Sequence, residues 1–328
     1  MRELRQMTEY PKISIVTPSF NQGKFLEKTI LSVLEQDYPN LEYIIIDGGS
    51  TDESVEIIRK YEDRLTYWVS EPDRGQSHAI NKGFEKATGE IFGWLNSDDY
   101  YASGALKAVV DAYLLNPDAG VVVGAGDMVD EEGNVLFGAA RTTITLETLC
   151  NWFHEFFWQP SCFFKKEVWT QCGPLNEQVH YAMDLDLWVR IAKKFEFKTT
   201  DVMISHNLRH PKAKTTEFMH RSHVDAAMVI MHNVGEAPAR HMLEDCLKII
   251  SERESSILEL LAQRDRELSE IKKTLINQEQ ALLQIKQEKQ KCDDGVVEMR
   301  QLIIAVHNSL SWKLTAPLRS ILRMISRQ

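Results

Sequence analysis

The sequence of 328 residues contains few cysteines, and none of the cysteine spacings that define a structural motif. There is no CxxC pair, and the five cysteines lie far apart: Cys150, Cys162, Cys172, Cys246 and Cys292. His154 lies near two of them, but the regular ligand spacings of a zinc site are missing. We therefore expect reduced thiols, as in a cytosolic protein, and neither a disulfide framework nor a zinc centre.

Long apolar stretches and a dinucleotide-binding motif are also absent. No apolar run approaches the roughly 20 residues that a membrane-spanning helix needs, and the N-terminus leads into no apolar signal segment. No GxGxxG motif is present, which disfavours a dinucleotide-dependent dehydrogenase. The formal net charge of −10 argues against nonspecific nucleic-acid binding by the whole chain. The sequence predicts a globular protein that is soluble or peripheral to a membrane.

Short β-branched runs alternate with amphipathic helical segments through the first hundred residues. We predict buried strands at residues 12–18, 41–46, 67–70 and 91–95. The strand–helix–strand order indicates an α/β fold with a parallel sheet, whose ligand crevice lies at the carboxyl ends of the strands. Residues 119–126 and 134–139 are predicted to be further strands around an acidic turn.

Two adjacent carboxylates, Asp98 and Asp99, follow the strand at residues 91–95. Adjacent carboxylates at the end of a buried strand repel each other and lose hydration unless a cation joins them, and Mg²⁺ or Mn²⁺ is the usual cation. The alternative is that they cap a helix over residues 102–114. The rest of the chain favours a metal site.

Three other charged residues flank the same predicted crevice. Asp47 ends a strand before two glycines, a position from which it can hydrogen-bond a base or a ribose. Arg74 and Lys82 would be explained by a bound diphosphate, although surface charges are more often simply solvated. These residues indicate a nucleotide-binding edge of the sheet.

Two later segments provide candidates for contact with a substrate. In the aromatic-rich segment 152–160, Trp158 and Gln159 can form an apolar platform for a sugar ring, although core packing is the commoner fate of such residues. In a helix, Asp184 and Trp188 share a face while Asp186 points elsewhere. One carboxylate can therefore face a site while the other has a structural role.

The order of these motifs resembles the family 2 glycosyltransferases with the GT-A fold. The similarity spans roughly residues 12–225 and rests on two stretches, TPSFNQGKFLEKTILSVLEQDYPNLEYIIIDGGSTDES and EPDRGQSHAINKGFEKATGEIFGWLNSDD. The NSDD sequence is similar to the bacterial polysaccharide branch of that family, in which it stands in place of a DXD motif. The resemblance implies a nucleotide-sugar donor, usually UDP-linked, and a divalent metal on its diphosphate.

The resemblance also implies a role for each motif residue. Residues predicted to contact the nucleotide sugar are Pro18, Ser19, Asn21, Asp47, Asp73, Arg74, Lys82, Asn96 and Lys214. Among them, Lys82 is predicted from its charge at the crevice edge, and the resemblance implies the others. The implied metal ligands are Asp98, Asp99 and His210. Asp184 is the implied general base for the acceptor hydroxyl, and a single displacement would invert the anomeric centre. The acceptor platform is predicted to comprise Trp158, Gln159 and Trp188.

From about Leu243 the composition becomes typical of a long helix, with no proline until Pro317. Apolar residues recur every 3.5 residues from Leu247 at position a and Ile250 at position d, which predicts a coiled coil and a homo-oligomer. Leucine at a with isoleucine at d favours a trimer or tetramer. A helix folded back on the catalytic domain is the alternative. Residues 293–295 (DDG) predict a kink or break.

The last segment, residues 317–328, places apolar residues on one helix face and Arg319, Arg323 and Arg327 on another, with Trp312 upstream. Such a basic amphipathic helix suits an anionic membrane surface, and packing against another protein helix is the alternative. The sequence SLSWKLTAPLR also resembles a tail of other bacterial polysaccharide glycosyltransferases. That resemblance implies a lipid-linked acceptor at the inner face of the cytoplasmic membrane.

These features together predict three regions: a GT-A domain with a mostly parallel mixed sheet over residues 1–238, a coiled coil over 239–311, and a membrane-associating segment over 312–328. The predicted function is inverting transfer of a sugar from a nucleotide-sugar donor, with Mn²⁺ or Mg²⁺ as cofactor. The acceptor would be a hydroxyl of a lipid-linked saccharide in bacterial surface polysaccharide synthesis. A sugar nucleotidyltransferase and a non-catalytic coiled-coil scaffold are the alternatives.

Overall fold

The computed structural model describes residues 10–138, 143–211, 213–214, 219–309, 313 and 315–325. The chain divides into two compact units, residues 1–249 and residues 250–328. The first unit contains the β-sheet, and the described residues of the second are almost entirely helical. The predicted boundary at residue 238 therefore lies inside the first unit.

Four parallel strands form the first part of the sheet. The strands are β1 (Ile13–Ser19), β2 (Leu41–Asp47), β3 (Tyr67–Ser70) and β4 (Ile91–Trp94), and they alternate with helices α1 (Gly23–Leu34), α2 (Ser54–Lys60) and α3 (Gln76–Lys86). The strands lie in the order β3-β2-β1-β4, and all neighbouring pairs are parallel. The predicted strand–helix–strand arrangement is confirmed.

The second part of the sheet is mixed. It contains strands β5 (Tyr100–Tyr101), β6 (Val121–Val129), β7 (Val135–Gly138), β8 (Cys162–Lys165) and β9 (Phe197–Leu208), with helices α4 (Ala105–Leu115), α5 (Leu146–Cys150), α6 (Lys166–Cys172) and α7 (Met183–Ala192). The sheet continues as β4-β8-β6-β9-β5, with β7 paired to β6. β8 is antiparallel to both of its neighbours, and β9 is parallel to β6. The predicted hairpin of β6 and β7 is confirmed.

The central strands are buried on both faces of the sheet. All seven residues of β1 are buried, with Val16 in one hydrophobic core and Ile13 and Ile15 in the other. On β2, Ile44 and Ile45 likewise pack into opposite cores. Because successive strand residues point to opposite faces, a strand between two cores needs apolar residues at nearly every position. This explains the continuous β-branched runs in the sequence.

A buried carboxylate joins the amino ends of three strands. Glu42 on β2 accepts hydrogen bonds from Ser14 Oγ on β1 (2.5 Å) and from the backbone N (2.6 Å) and Oγ1 (2.7 Å) of Thr88, just before β4. Burial raises the pKa of Glu42, but the hydrogen bonds from Ser14 and Thr88 outweigh that effect and leave its pKa below the ordinary value. At Gly89 a Cβ atom would lie 2.4 Å from Ser14 Oγ, so only glycine leaves room for this arrangement.

The C-terminal part of the chain forms helices α8 (Met219–Asn233), α9 (Glu236–Asn308) and α10 (Ala316–Ile325). Near the start of α9, Ala239, Met242 and Cys246 are buried in the first unit. From residue 250 to residue 309 every described side chain is exposed in the single chain. No helix among the described residues is both long and apolar enough to span a membrane.

The interruption predicted at residues 293–295 is absent, because α9 runs through these residues without a break. Gln290 Nε2 donates to Asp294 Oδ1 at 2.9 Å, a hydrogen bond between side chains one helical turn apart. No other side chain meets the position of a Cβ at Gly295, so the glycine leaves no local packing defect. Trp312 and residues 326–328, which belong to the predicted basic segment, lie outside the described residues.

Candidate active site

A cavity of about 920 Å³ opens at the carboxyl ends of the first parallel strands, where the sequence placed a ligand crevice. Ser19 at the end of β1, Gly48 after β2 and Asp98 after β4 line one side of it. Asp184 in the first turn of α7 and Lys214 also line it. The fold therefore brings together polar residues from distant parts of the sequence.

The two adjacent aspartates after β4 have different surroundings. Asp98 Oδ2 lies 3.1 Å from the imidazole Nε2 of His210, whose side chain is buried. Asp99 is buried, and its carboxylate accepts hydrogen bonds from the backbone N of Leu208 (3.0 Å) and from Asn96 Nδ2 (3.2 Å). Burial and the neighbouring charge of Asp98 raise the pKa of Asp99 well above its ordinary value. Both aspartates line the cavity, Asp98 beside His210 and Asp99 held by the hydrogen bonds from Leu208 and Asn96.

The alternative interpretation of these aspartates as a helix cap is wrong. β5 intervenes between them and α4, which begins at Ala105 after Gly104 and has no side-chain cap. The backbone oxygen of Asp99 instead accepts a hydrogen bond from Thr29 Oγ1 on α1 (2.7 Å). Asp99 therefore joins the end of β4 to α1 and, through Leu208, to the end of β9.

Asn96 is the centre of a hydrogen-bond network that borders the cavity. Its Oδ1 accepts from Gln76 Nε2 (2.8 Å), and its Nδ2 donates to Asp99 (3.2 Å) and to Gln159 Oε1 (3.3 Å). Gln76 Oε1 in turn accepts from Lys214 Nζ (3.1 Å). An aspartate at position 96 would lose the donor and place a further negative charge beside Asp99. The network accounts for an asparagine at this position.

The two aspartates in the first turn of α7 have different surroundings. Asp184 lines the cavity, and burial raises its pKa, an effect only partly offset by backbone hydrogen bonds and by Lys214. Asp186 is buried and pairs with Arg190 one turn later (2.8 Å). Asp184 is therefore a carboxylate whose proton affinity is increased at the edge of a cavity.

The end of β1 and the loops after β2 and β3 form another edge of the cavity. Pro18, Ser19 and Asp73 line this edge. Ser19 is 4% exposed, and its Oγ has no hydrogen-bond partner among the described residues. A Cβ at Gly48 would lie 2.7 Å from Asp73 Oδ2, so the glycine allows Asp73 to approach the backbone. A ligand hydroxyl or carbonyl would satisfy the Ser19 hydroxyl.

Asp47 and Asn21 are not among the residues that line the cavity. Asp47 is fully buried, and its carboxylate accepts hydrogen bonds from the backbone N (2.9 Å) and Oγ (2.6 Å) of Ser50 and from Ser70 Oγ (2.6 Å). Asn21 Oδ1 accepts from the backbone N of Thr51 (2.8 Å). The Asp47 carboxylate and the Asn21 Oδ1 atom are thus engaged in hydrogen bonds that tie neighbouring loops together.

The predicted aromatic platform is only partly present at the cavity. Trp158 and Gln159 line it, together with other aromatic residues of the same segment. Trp188 is fully buried and stacks on Trp94 with ring centroids 5.4 Å apart and an angle of 12° between the planes. The structure therefore corrects the predicted role of Trp188: the ring points into the core and supports Trp94, which lines the cavity.

Two cations predicted to contact a diphosphate are engaged elsewhere. Arg74 forms a bidentate ion pair with Glu177, in which Nε donates to Oε2 at 2.8 Å and Nη2 donates to Oε1 at 3.1 Å. Lys82 pairs with Glu71. Neither cation is among the cavity-lining residues, whereas Lys214 is.

Several cavity residues carry no predicted site role, and they include Gln76, Trp94, His180, Tyr181 and Asn207. Gln76 directly follows the turn EPDRG and begins α3, and this position beside a predicted crevice loop could have indicated a site role. His180 and Tyr181 lie just before α7, close to Asp184 in the sequence. No local sequence pattern indicates that Asn207, on β9, lines the cavity, because its position there depends on the pairing of β9 with β6.

Residues 14–171 match the model of one protein family, Glycosyl transferase family 2. An uncharacterized glycosyltransferase of Rickettsia typhi is 26% identical over 199 residues, which cover 58% of this chain and 61% of that protein. The chondroitin synthase of Escherichia coli is 24% identical over 217 residues, which cover 63% of this chain and 30% of that protein. These comparisons support a family 2 glycosyltransferase. The chain spans less than two thirds of the length of these curated relatives.

Solved structures show the GT-A fold. S. aureus TarS matches with a TM-score of 0.54 and 19% identity, over 72% of this chain and 43% of that chain. TarS 1–349 in complex with UDP matches with a TM-score of 0.51 and 18% identity, over 70% and 68% of the two chains. Mannosyltransferase PcManGT from Pyrobaculum calidifontis, in complex with GDP-Man and Mn²⁺, matches with a TM-score of 0.50 and 19% identity, over 74% and 81%. At these identities the likeness establishes the fold of the first unit.

The residues of the GT-A domain near Asp98 fit a divalent cation only in part. Among the described residues no group of three or more histidine, cysteine, aspartate or glutamate side chains is arranged to hold a metal. Asp98 Oδ2 and His210 Nε2 are two possible metal-ligand atoms, and they lie 3.1 Å apart. Mg²⁺ is often bound by one or two carboxylates and completes its coordination with water and substrate phosphates. The donor set therefore fits a cation that arrives with a phosphate-bearing ligand.

Proposed function

We propose that this chain is an inverting glycosyltransferase that moves a sugar from a nucleotide sugar to a hydroxyl of a lipid-linked saccharide acceptor, in the synthesis of a bacterial surface polysaccharide. The observation that carries the proposal is that Asp98, Asp184 and Lys214 line one cavity. A UDP-linked donor is favoured because a neighbour in fold, TarS 1–349, was solved with UDP. The acceptor is proposed from the resemblance of the C-terminal segment.

The reaction requires stabilisation of a departing nucleoside diphosphate. When the bond from the anomeric carbon to the diphosphate oxygen breaks, negative charge accumulates on that oxygen, and the Lys214 ammonium stabilises it. Lys214 is held beside the cavity by Gln76 (3.1 Å), and its Nζ lies 5.4 Å from the centre of the Tyr181 ring. A cation held by Asp98 and His210 would supply further positive charge to the diphosphate.

The acceptor requires a base. In this proposal the Asp184 carboxylate takes the proton from the acceptor hydroxyl as the oxygen forms its bond to the anomeric carbon. Its raised pKa makes it a stronger base than an exposed aspartate. Ser19, whose Oγ lacks a partner within the described residues, would bind a polar group of the nucleoside. One displacement from the face opposite the leaving group inverts the anomeric centre.

The Asp184→Asn variant tests the proposal. We expect its turnover to fall by about 10²- to 10⁴-fold because it lacks the general base, while the dissociation constant for UDP changes little. The measurement is release of UDP from UDP-sugars during transfer, which also distinguishes transfer from the pyrophosphate release of a nucleotidyltransferase. Asp118→Asn is the matched control, since Asp118 is exposed and lies outside the cavity.

The wild-type pH profile provides an independent check. Asp184 must be ionised to accept a proton, so kcat/KM should fall as the pH decreases through its pKa. Because burial raises that pKa, the fall should occur at higher pH than the roughly 3.9 of an unperturbed aspartate. Wild-type turnover in Asp184→Asn, or an acid limb at the unperturbed value, would contradict the assignment.

The Asp98→Asn variant tests the metal assignment. In the wild type we expect Mn²⁺ and UDP together to raise the midpoint of thermal unfolding more than either alone, because each binds more tightly when the other is present. Asp98→Asn should lose the increment that depends on Mn²⁺, since one of two protein ligands is weakened, and Asp118→Asn should keep it. Differential scanning fluorimetry measures the midpoints. An unchanged Mn²⁺ increment in Asp98→Asn would contradict the role of Asp98.

We further propose that α9 forms a coiled coil that joins copies of the chain, with a trimer or tetramer favoured. Most of the apolar a and d positions of its heptads, among them Ile257, Leu268 and Leu275, are more than half exposed in the single chain. A stripe of this length is stabilised by burial against equivalent stripes of other copies. Cys292 occupies a d position and is the exposed cysteine, whereas Cys162, Cys172 and Cys246 are buried.

Cross-linking through Cys292 tests this arrangement. In a parallel coiled coil in register, equivalent d positions of neighbouring helices face each other. Mild oxidation should therefore yield disulfide-linked pairs on non-reducing gels at all protein concentrations, and Cys292→Ser should abolish them while Cys150→Ser does not. Light scattering gives the number of chains. A monomeric mass, or cross-linking that requires high concentration, would contradict the proposal.

The segment from residue 312 onward is proposed to bind an anionic membrane surface. α10 carries Arg319 and Arg323, and Leu318 on the same helix is 62% exposed. Truncation after residue 311 should abolish co-sedimentation with vesicles containing phosphatidylglycerol, whereas the full chain should sediment with them and not with phosphatidylcholine vesicles. Equal sedimentation of the truncated and full chains would contradict this role.

A further inference from the structure

An exposed aromatic ring on β7 continues the aromatic wall of the cavity. Phe137 is 44% exposed, and its ring centroid lies 5.5 Å from that of Trp158 and 6.5 Å from that of Phe156. Phe156 and Trp158 pack edge to face, with centroids 5.1 Å apart, and both line the cavity. The three rings, Phe137, Phe156 and Trp158, are called the aromatic surface below.

The backbone fixes the position of this surface beside the cavity. Phe137 pairs with Met128 on β6, and Met128 lines the cavity. Trp158 packs directly against β6 at Gly126, where a Cβ atom would lie 2.4 Å from Trp158 Cδ1. Trp158 Nε1 has no hydrogen-bond partner among the described residues. An apolar surface of fixed geometry therefore continues from the cavity to an edge strand.

The chemistry of this region favours a sugar over a lipid surface. The faces of aromatic rings are electronegative and apolar, which complements the C–H groups on the face of a pyranose ring. The turn between β6 and β7, in the same hairpin as Phe137, contains Asp130, Glu131 and Glu132. Of these, Glu131 is paired with Lys24. Acidic residues repel the negatively charged surface of a membrane, but they do not oppose the binding of a neutral saccharide.

We infer that the aromatic surface binds the saccharide part of the acceptor, with Phe137 stacking on a sugar ring outside the cavity. The inference rests on the proposed transfer function, because it assigns the acceptor side of the same site. Phe137 is a specificity residue in this scheme: it takes no part in the chemistry at the anomeric carbon. Its loss should affect acceptor binding and leave donor turnover to water intact.

The test compares Phe137→Ala with Leu136→Ala, because Leu136 is exposed to nearly the same degree (43%) on the same strand and has no ring. Lactose, maltotriose and N,N′-diacetylchitobiose serve as saccharide probes, followed by tryptophan fluorescence and by their stimulation of UDP release from UDP-sugars. Phe137→Ala should weaken the response to the most effective probe by about 2- to 10-fold, the usual contribution of an aromatic contact. Phe137→Tyr should restore the response, and Leu136→Ala should match the wild type.

Several results of these experiments would overturn the inference. An unchanged saccharide response in Phe137→Ala, an equal loss in Leu136→Ala, or saturation of the wild type by none of the probes overturns the inference. Reduced sedimentation of Phe137→Ala with phosphatidylglycerol vesicles, with the saccharide response intact, overturns it in favour of a lipid contact. If the wild type releases no UDP from any UDP-sugar, the proposed function fails, and the fluorescence titration still tests the aromatic surface on its own.

Discussion

The candidate site depends on the burial of a carboxylate at the end of β4. Asp99 is held by hydrogen bonds from the Leu208 backbone and from Asn96, and its own backbone oxygen accepts a hydrogen bond from Thr29. These contacts join three elements at the cavity edge, where Asp98 also lines the cavity. Placing two adjacent carboxylates where one has little access to water is energetically costly. The surrounding donors offset that cost and fix the geometry of the edge.

The amide network around Asn96 extends this constraint across the cavity. A carboxamide provides both a donor and an acceptor, and Asn96, Gln76 and Gln159 use both kinds of atom in one connected chain. The chain ends at Lys214 on one side and at the backbone of β4 on the other. The lysine is therefore oriented by neutral groups before any ligand is present. Such preorganisation reduces the reorganisation that a charge-stabilising residue would otherwise need.

The sequence predicted the first four strands, and the crevice at their carboxyl ends, because both depend on local patterns. Continuous β-branched runs identify strands between two cores, and the residues after such strands meet at one edge. Trp188 could not be assigned from periodicity, because the pattern groups it with Asp184 but does not reveal that its ring stacks on Trp94. Local patterns indicate a diphosphate as the partner of Arg74, because they do not reveal its ion pair with Glu177, which lies 103 positions away in the sequence. Local sequence patterns do not reveal contacts between distant residues, such as the pairing of β9 with β6.

The two ends of the sheet differ in how they respond to acid. At the amino ends of the strands, the pKa of Glu42 is lowered, so the stability it contributes is present above its unfolded pKa and is lost as the pH falls through the folded value. At the carboxyl ends, the pKa of Asp99 is raised, so its contribution is present at low pH and is lost as the pH rises through the folded value. The two ends of the sheet therefore respond to a change of pH in opposite senses. The end with the raised pKa is the one that lines the cavity, where a bound cation would favour the ionised form of the carboxylates.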